Sequence, residues 1–393
     1  MSTAERRLNV GIDLNSVHPQ ICYYEQAADN TVTAPLKIGN EDASFRDILE
    51  ELEEMDYDED TPYSEQEART EELSLQAAEI LKKAFATLGI SDTGSQIVGL
   101  TISVPHLTRL LVSMLQIVFR ELDLADGRGF MQDYDESFYY YTLYQKPELW
   151  NRSVGFFEFD GNRITFTSLS HNNQTRPVSV TCEEGVTITL RGESNTWDDQ
   201  FCHMISASLR QNIYTSVFLQ GDTFSRSWAV KSTSLLLRGG RKVFIVDNLY
   251  ARGACYAARE KTLKKRLQDY IYMGRDMVRT NLGMQMVIQG KETYYPLVSA
   301  GVNWYEVDKK CECILEGDPV LTFLVSAMGA SANSLVRMNL TDLEKTERPE
   351  GTTRLGLHVT YEAPGRCVIE VEDLGFGDLY PSSGQVWKEV LEG

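Results

Sequence analysis

The chain is poor in positive charge, in histidine and in patterned cysteine. Its 393 residues carry 57 Asp+Glu and only 38 Lys+Arg, a formal net charge of −19. Phosphate neutralisation needs surplus Lys/Arg, so this balance argues against nucleic-acid binding and against docking on an anionic membrane surface. No run approaches the roughly 18 apolar residues that a membrane helix requires. The opening MSTAERRLNVGIDLN has no apolar core before its first polar break, so it does not read as a signal peptide. The seven cysteines (22, 182, 202, 255, 311, 313 and 367) follow no framework spacing, and an odd count reads as reduced thiols of a cytoplasmic protein. The five histidines (18, 106, 171, 203 and 358) show no metal-ligand spacing. Cys311 and Cys313 would share one face of a strand, but two ligands do not make a tetrahedral zinc site.

What is present is an ordinary globular composition, 42% apolar. At roughly 150 residues per domain the length suggests two or three domains. The negative charge is concentrated. Residues 41–72 hold fifteen acidic residues and two basic ones, Arg46 and Arg69, which is −13 of the −19. This acidic insert shows weak helical periodicity in its first part (Phe45, Ile48, Leu49, Leu52), and MDYDEDTPYSE reads as a solvated loop.

Elsewhere the periodicities are clearer. Short strands are expected at 8–14, 20–24, 31–38, 97–104 and 129–132, and helices over 73–88 and 107–122. A helix over 135–144 would take Asp135 as its N-cap. Asp160-Gly161-Asn162 signals a hairpin between 154–159 and 163–169, and helices at 201–210, 227–237 and 248–265 alternate with strands at 215–219 and 243–246. Residues 1–265 therefore read as α/β, 266–281 as a linker, and 282–393 as an all-β domain. The run Phe138–Tyr141 with Tyr144 reads as packing between two halves of the first domain.

Three strand ends could present backbone N–H groups and carboxylates to phosphate: VGIDLNSV with Asp13, FFEFDGNRITF with Glu158, and VFLQGDTF with Gly221. Their serial order carries a resemblance. Val10–Val17 is similar to the first phosphate loop (IDLGTT) of the DnaK-type heat-shock chaperones, members of the actin-like ATPase superfamily. QIVGLTISVP (96–105) is similar to that family's AVITVPA strand, and QDYDESFYYYTLY (132–144) to its first connecting segment, INEPTAAALAY. Gly155–Leu169 resembles the second phosphate loop, Val217–Ser227 the adenosine loop, and Val246–Ala258 the closing segment. Residues 276–305, 315–318 and 340–373 resemble the family's linker and substrate-binding β-sandwich, whereas the 20 residues after Asp373 are too few for its helical lid.

The resemblance implies a two-lobed actin-like, ribonuclease H-like duplicated domain followed by a β-sandwich. It implies ATP or ADP with Mg²⁺ as cofactor. Asp13 would face the hydrated metal, Glu136 would orient metal and water, and Glu158 would stand for the second-loop carboxylate. Asn15, Ser16, Gly161 and Gly221 would line the nucleotide. Lys37 is the nearest candidate by order for the catalytic lysine.

Several family positions are altered. Asn15 replaces a loop glycine, Ser16-Val17 a threonine pair, Asp160-Gly161-Asn162 a triple glycine, and Gln220-Gly221 a double glycine. Asp160 would set negative charge against the phosphates. A chain without any cofactor is thus equally open. The reading is a chaperone-like binding protein with a degenerate nucleotide site, a protein or peptide partner, and weak or no ATP hydrolysis. The alternatives are a slow ATP-hydrolysing chaperone and an actin-like cytoskeletal or division protein.

Overall fold

The computed structural model describes residues 6–14, 19–58, 61–125, 127–263, 265–328, 333–343 and 348–392. They form two compact units, Met1–Gly274 and Arg275–Gly393.

The first unit contains one topology twice. Strands β1 (Leu8–Asp13), β2 (Gln20–Glu25) and β3 (Asn30–Pro35) form an antiparallel meander. Strands β4 (Ile97–Val104) and β5 (Gly129–Asp133) then add in parallel on the other side of β1, giving the order β3-β2-β1-β4-β5. The second sheet repeats the plan. β6 (Ser153–Asp160), β7 (Arg163–Asn172) and β8 (Val178–Thr189) meander, β9 (Tyr214–Gln220) and β10 (Lys242–Ile245) add in parallel, and the order is β8-β7-β6-β9-β10. A short strand β11 (Tyr270–Tyr272), within the segment read as linker, pairs in parallel with β8. Two copies of this five-strand order make the unit a two-lobed, actin-like α/β domain.

The helices explain how the lobes hold together. Those of seven residues or more are α1 (Arg46–Tyr57), α2 (Tyr63–Thr87), α3 (Arg109–Glu121), α4 (Tyr134–Leu143), α5 (Ser194–Ser208), α6 (Val230–Leu236) and α7 (Leu249–Thr262). α4 follows the last strand of lobe one, yet its Phe138, Tyr139, Tyr141 and Leu143 share a core with Val154, Phe156, Leu169 and Phe218 of the second sheet. α7 follows the last strand of lobe two, yet it lies on β1. The Asn9 side chain donates to the Ala258 carbonyl (3.2 Å) and the Thr262 hydroxyl (2.5 Å). The small residues of LYARGACYAA permit this approach. A Cβ on Gly11 would lie 2.0 Å from the Cys255 nitrogen, and one on Gly253 would lie 2.0 Å from the Ser137 carbonyl oxygen of α4. Each lobe therefore lends a helix to the other, and the aromatic run of α4 is the inter-lobe packing expected of it.

Two local expectations are corrected. The acidic segment is mainly helical: α1 and the start of α2 occupy most of it. Phe45, Ile48 and Leu52 are buried at helical spacing, but the inward positions of α2's first turns are the polar Gln66, Thr70 and Ser74. A hydrophobic pattern cannot register such a face. Gln66 satisfies it by donating to the Met55 and Asp58 carbonyls (3.2 and 2.9 Å) and accepting from Arg109 (2.7 Å), while Thr70 and Ser74 bond back to carbonyls four residues earlier. The N-cap of α4 is Asp133, whose carboxylate accepts from the Glu136 N–H at 2.7 Å, and not Asp135. Asp133 ends β5, so strand and cap share a residue.

The second unit is all-β and antiparallel. Its strands are β12 (Thr280–Ile288), β13 (Lys291–Val298), β14 (Asp308–Leu315), β15 (Val320–Ala327), β16 (Ser334–Asn339), β17 (Thr353–Ala363), β18 (Arg366–Asp373) and β19 (Val386–Glu392). They form two sheets, β13-β12-β15-β16 and β14-β17-β18-β19. Alternation sets the faces: Leu355, Leu357, Val359 and Tyr361 of β17 are buried and their neighbours less so. The unit also holds a buried ion pair. Arg348 donates two bonds of 2.7 Å to Asp373, which also accepts from the Gly375 and Ser383 N–H groups.

Candidate functional site

Each lobe contributes a carboxylate at or near the end of its first strand. Asp13 is the last residue of β1, and Glu158 lies two residues before the end of β6. Each lobe also supplies a tyrosine at the start of the helix it lends: Tyr134 opens α4 and Tyr250 is the second residue of α7. Tyr134 donates its hydroxyl to Asp13 at 2.6 Å, and Tyr250 donates to Glu158 at 2.7 Å. The two rings stack with centroids 3.6 Å apart and planes 7° from parallel. The duplicated fold thus carries a pseudo-symmetric clasp, in which carboxylate, tyrosine, tyrosine and carboxylate run across the junction of the lobes.

The electrostatics follow from burial. Tyr250 is buried, and loss of solvation pushes both hydroxyls well above their ordinary range, with Asp13 acting further on Tyr134 and Glu158 on Tyr250. Both phenols therefore stay protonated and act as donors. Burial also raises the Glu158 carboxyl to about 7; the Tyr250 bond opposes this, and the charges of Asp13, Asp160 and Asp135 add to it. Glu158 therefore keeps its proton to higher pH than an ordinary glutamate.

Glu136 lies two residues beyond Tyr134 in α4. Its carboxylate is 3.5 Å from the Lys261 ammonium, which also sits over the rings of Phe130 (5.2 Å) and Tyr140 (5.9 Å). Beside it Gln132 donates to the Ser137 hydroxyl (2.7 Å), which shares a bond of 2.6 Å with Ser103.

The remaining expected site residues have local roles. Gly161 occupies the hairpin tip with φ +52°, and nothing lies within 4 Å of where a Cβ would be. Gly221 has φ +117°, and a Cβ there would fall 2.0 Å from the Phe159 carbonyl oxygen, so close strand packing alone demands a glycine. Gln220 accepts from the Leu249 N–H at 2.8 Å and so holds the start of α7. Asp160 is exposed at the hairpin. Lys37 pairs with Asp42 at 3.8 Å; the cation beside Glu136 is instead Lys261. Asn15 and Ser16 lie outside the described residues.

The site therefore brings Asp13 and Glu158 together through the two tyrosines, with Glu136 on the same helix as one of them. Tyr134, Tyr250 and Lys261 were not singled out from the sequence. The available signal was a tyrosine in each of the two segments that match connecting motifs, QDYDES and NLYARG.

The actin-like fold commonly binds ATP with Mg²⁺, so the fit of that group can be tested on these residues. Asp13 and Glu158 already accept phenolic hydroxyls, two stacked rings lie between them, and Glu136 is paired with a lysine. Among the described residues no group of three or more His, Cys, Asp or Glu is placed to hold a metal ion. The described residues do not fit a metal–triphosphate cluster. No helix among the described residues is long and apolar enough to cross a membrane.

Solved structures similar to this chain include a Bacteroides thetaiotaomicron protein with actin-like ATPase fold and unknown function (9% identity, 64% of this chain and 96% of that one, TM-score 0.32). They also include the ethanolamine utilization protein EutJ from Carboxydothermus hydrogenoformans (11%, 64% and 89%, TM-score 0.33) and a ParM filament from Clostridium botulinum (11%, 65% and 99%, TM-score 0.35). These scores are low, and the assignment of the fold rests on the duplicated strand order. No curated protein matches the chain. Residues 277–392 match a domain of unknown function, DUF8552. Residues 41–275, more than half of the chain, match the family of unknown function (DUF5716) C-terminal, and the chain belongs to that family.

Proposed function

We propose that this protein is a binding module on an actin-like scaffold whose cleft is held by its own side chains, with weak or no ATP hydrolysis. The observation that carries the reading is the clasp: Asp13 and Glu158, the carboxylates that would serve metal and phosphate, are bonded to Tyr134 and Tyr250. Phosphoryl transfer depends on carboxylates positioned on a metal–phosphate cluster. The resemblance to DnaK-type chaperones supports a protein or peptide as the bound partner.

Two measurements test this. The melting temperature with and without Mg-ATP is expected to be unchanged. Saturation at about 100 times the dissociation constant would stabilise the fold by roughly 2.7 kcal/mol, and such a shift would refute the degenerate-site reading. Suppression of aggregation of a chemically unfolded client, at equal levels with and without nucleotide, is expected of a chaperone-type binder. Nucleotide-dependent suppression would favour the slow ATPase, and ATP-dependent sedimentation the filament-forming alternative.

A further inference from the structure

We propose that the second unit binds an amphipathic monocarboxylate, an acyl chain with an anionic head, in a cavity between its two sheets. The cavity has a volume of about 520 Å³. Ligand pockets span about 300–1,000 Å³ and are mostly apolar with a few placed polar groups. Its walls include Leu282 and Val325 from one sheet and Tyr361, Val390 and Leu391 from the other. Val336 of β16 and Val390 and Leu391 of β19, the last strands of their sheets, line it.

The charge at this cavity selects the head group. Among the described residues two charged ones line it, Arg279 and Glu392. The Glu392 carboxylate is engaged by Arg366, which also donates to Glu362 at 2.8 Å. Arg279 is exposed and makes no ion pair among the described residues. Arg366 is thus shared by two carboxylates and that cluster keeps a net negative charge, whereas the Arg279 guanidinium is the lining cation without an ion pair among the described residues, with Thr280 and Ser334 as further polar lining. A guanidinium recognises a carboxylate through paired N–H donors, and the apolar walls accept an alkyl chain. This inference stands apart from the reading of the inter-lobe cleft, since it uses no residue of the first unit.

Isothermal titration of the full chain with decanoate, below its micelle concentration, tests it. One saturable site is expected, with 1-decanol at least about tenfold weaker because it lacks the charge-assisted bond. Arg279→Gln is expected to bring decanoate to the level of decanol and to leave decanol unchanged. Val336→Trp, with an unaltered circular dichroism spectrum, is expected to abolish both. Absence of saturable binding, multi-site uptake, equal affinity for decanol, or indifference to Arg279→Gln would each overturn the proposal. So would displacement of decanoate by an amidated apolar peptide that binds more tightly, which would assign the cavity to a peptide. Should Val336→Trp fail to fold, the Arg279→Gln comparison still decides.

Discussion

The clasp makes stability depend on pH in a direction set by Glu158. A carboxyl whose pKa rises from an ordinary 4.5 to about 7 on folding is held in its protonated form by the native state. Between those values the folded protein binds a proton that the unfolded chain has released. The group's contribution is fully present below pH 4.5 and is lost as pH rises through 7. At about 1.4 kcal/mol per pH unit, the whole interval is worth about 3 kcal/mol. Glu158→Gln removes this titration while keeping a carbonyl to accept the Tyr250 hydroxyl. Urea unfolding of both proteins from pH 4.5 to 8.5 reads the difference, and other titrating groups cancel in the comparison. The variant is expected to match wild type near pH 4.5 and to be more stable by up to about 3 kcal/mol above pH 7. A difference that is flat with pH, or a variant equally weakened throughout, would refute the claim that Glu158 is held protonated by burial.

Further outcomes follow from the same geometry. Tyr134→Phe keeps the ring stack but removes the donor to buried Asp13, and is expected to cost about 1–3 kcal/mol in urea unfolding. Gly253→Ala improves helix propensity, yet its Cβ would meet the Ser137 carbonyl at 2.0 Å, so a loss of about 1–3 kcal/mol is expected and a gain would contradict the α4–α7 packing. In the second unit Arg348→Ala leaves Asp373 buried without its cation and is expected to cost about 3–5 kcal/mol by thermal unfolding. Burial alone would raise the Asp373 carboxyl, but Arg348 and the Ser383 and Gly375 N–H groups hold it well below 3.8. That contribution is present above pH 4 and is lost as pH falls, so the wild-type melting temperature is expected to drop on acidification below pH 4 while that of Arg348→Ala changes less.

Much of the fold was legible because local chemistry and tertiary packing agree. β1 and β4 are inner strands of their sheet, so they read as short apolar runs. The Asp160-Gly161-Asn162 turn sets the β6–β7 hairpin, and the alternation of β17 marks a strand with one buried face. The acidic segment was misread because α2 buries glutamine, threonine and serine, which a hydrophobic pattern does not register and which bond to nearby carbonyls and, for Gln66, to Arg109, 43 residues away. The carboxylates at the strand ends were found, but their employment was not. A sequence shows Asp13 and Glu158 as free acids, and nothing local says that each will accept a tyrosine hydroxyl from a distant segment.

The sequence by itself determined the alternation of strands and helices, the turn at Asp160-Gly161-Asn162, and the change to an all-β text near residue 280. These depend on periodicity and turn chemistry, which are written in neighbouring residues. Only the tertiary structure decided that Tyr134 and Tyr250 stack, that Lys261 faces Glu136, and that a cavity with one uncompensated guanidinium opens between the β-sheets. Those contacts join residues up to 125 positions apart, and they exist because each lobe lends its last helix to the other and because residues of both sheets of the second unit line one cavity.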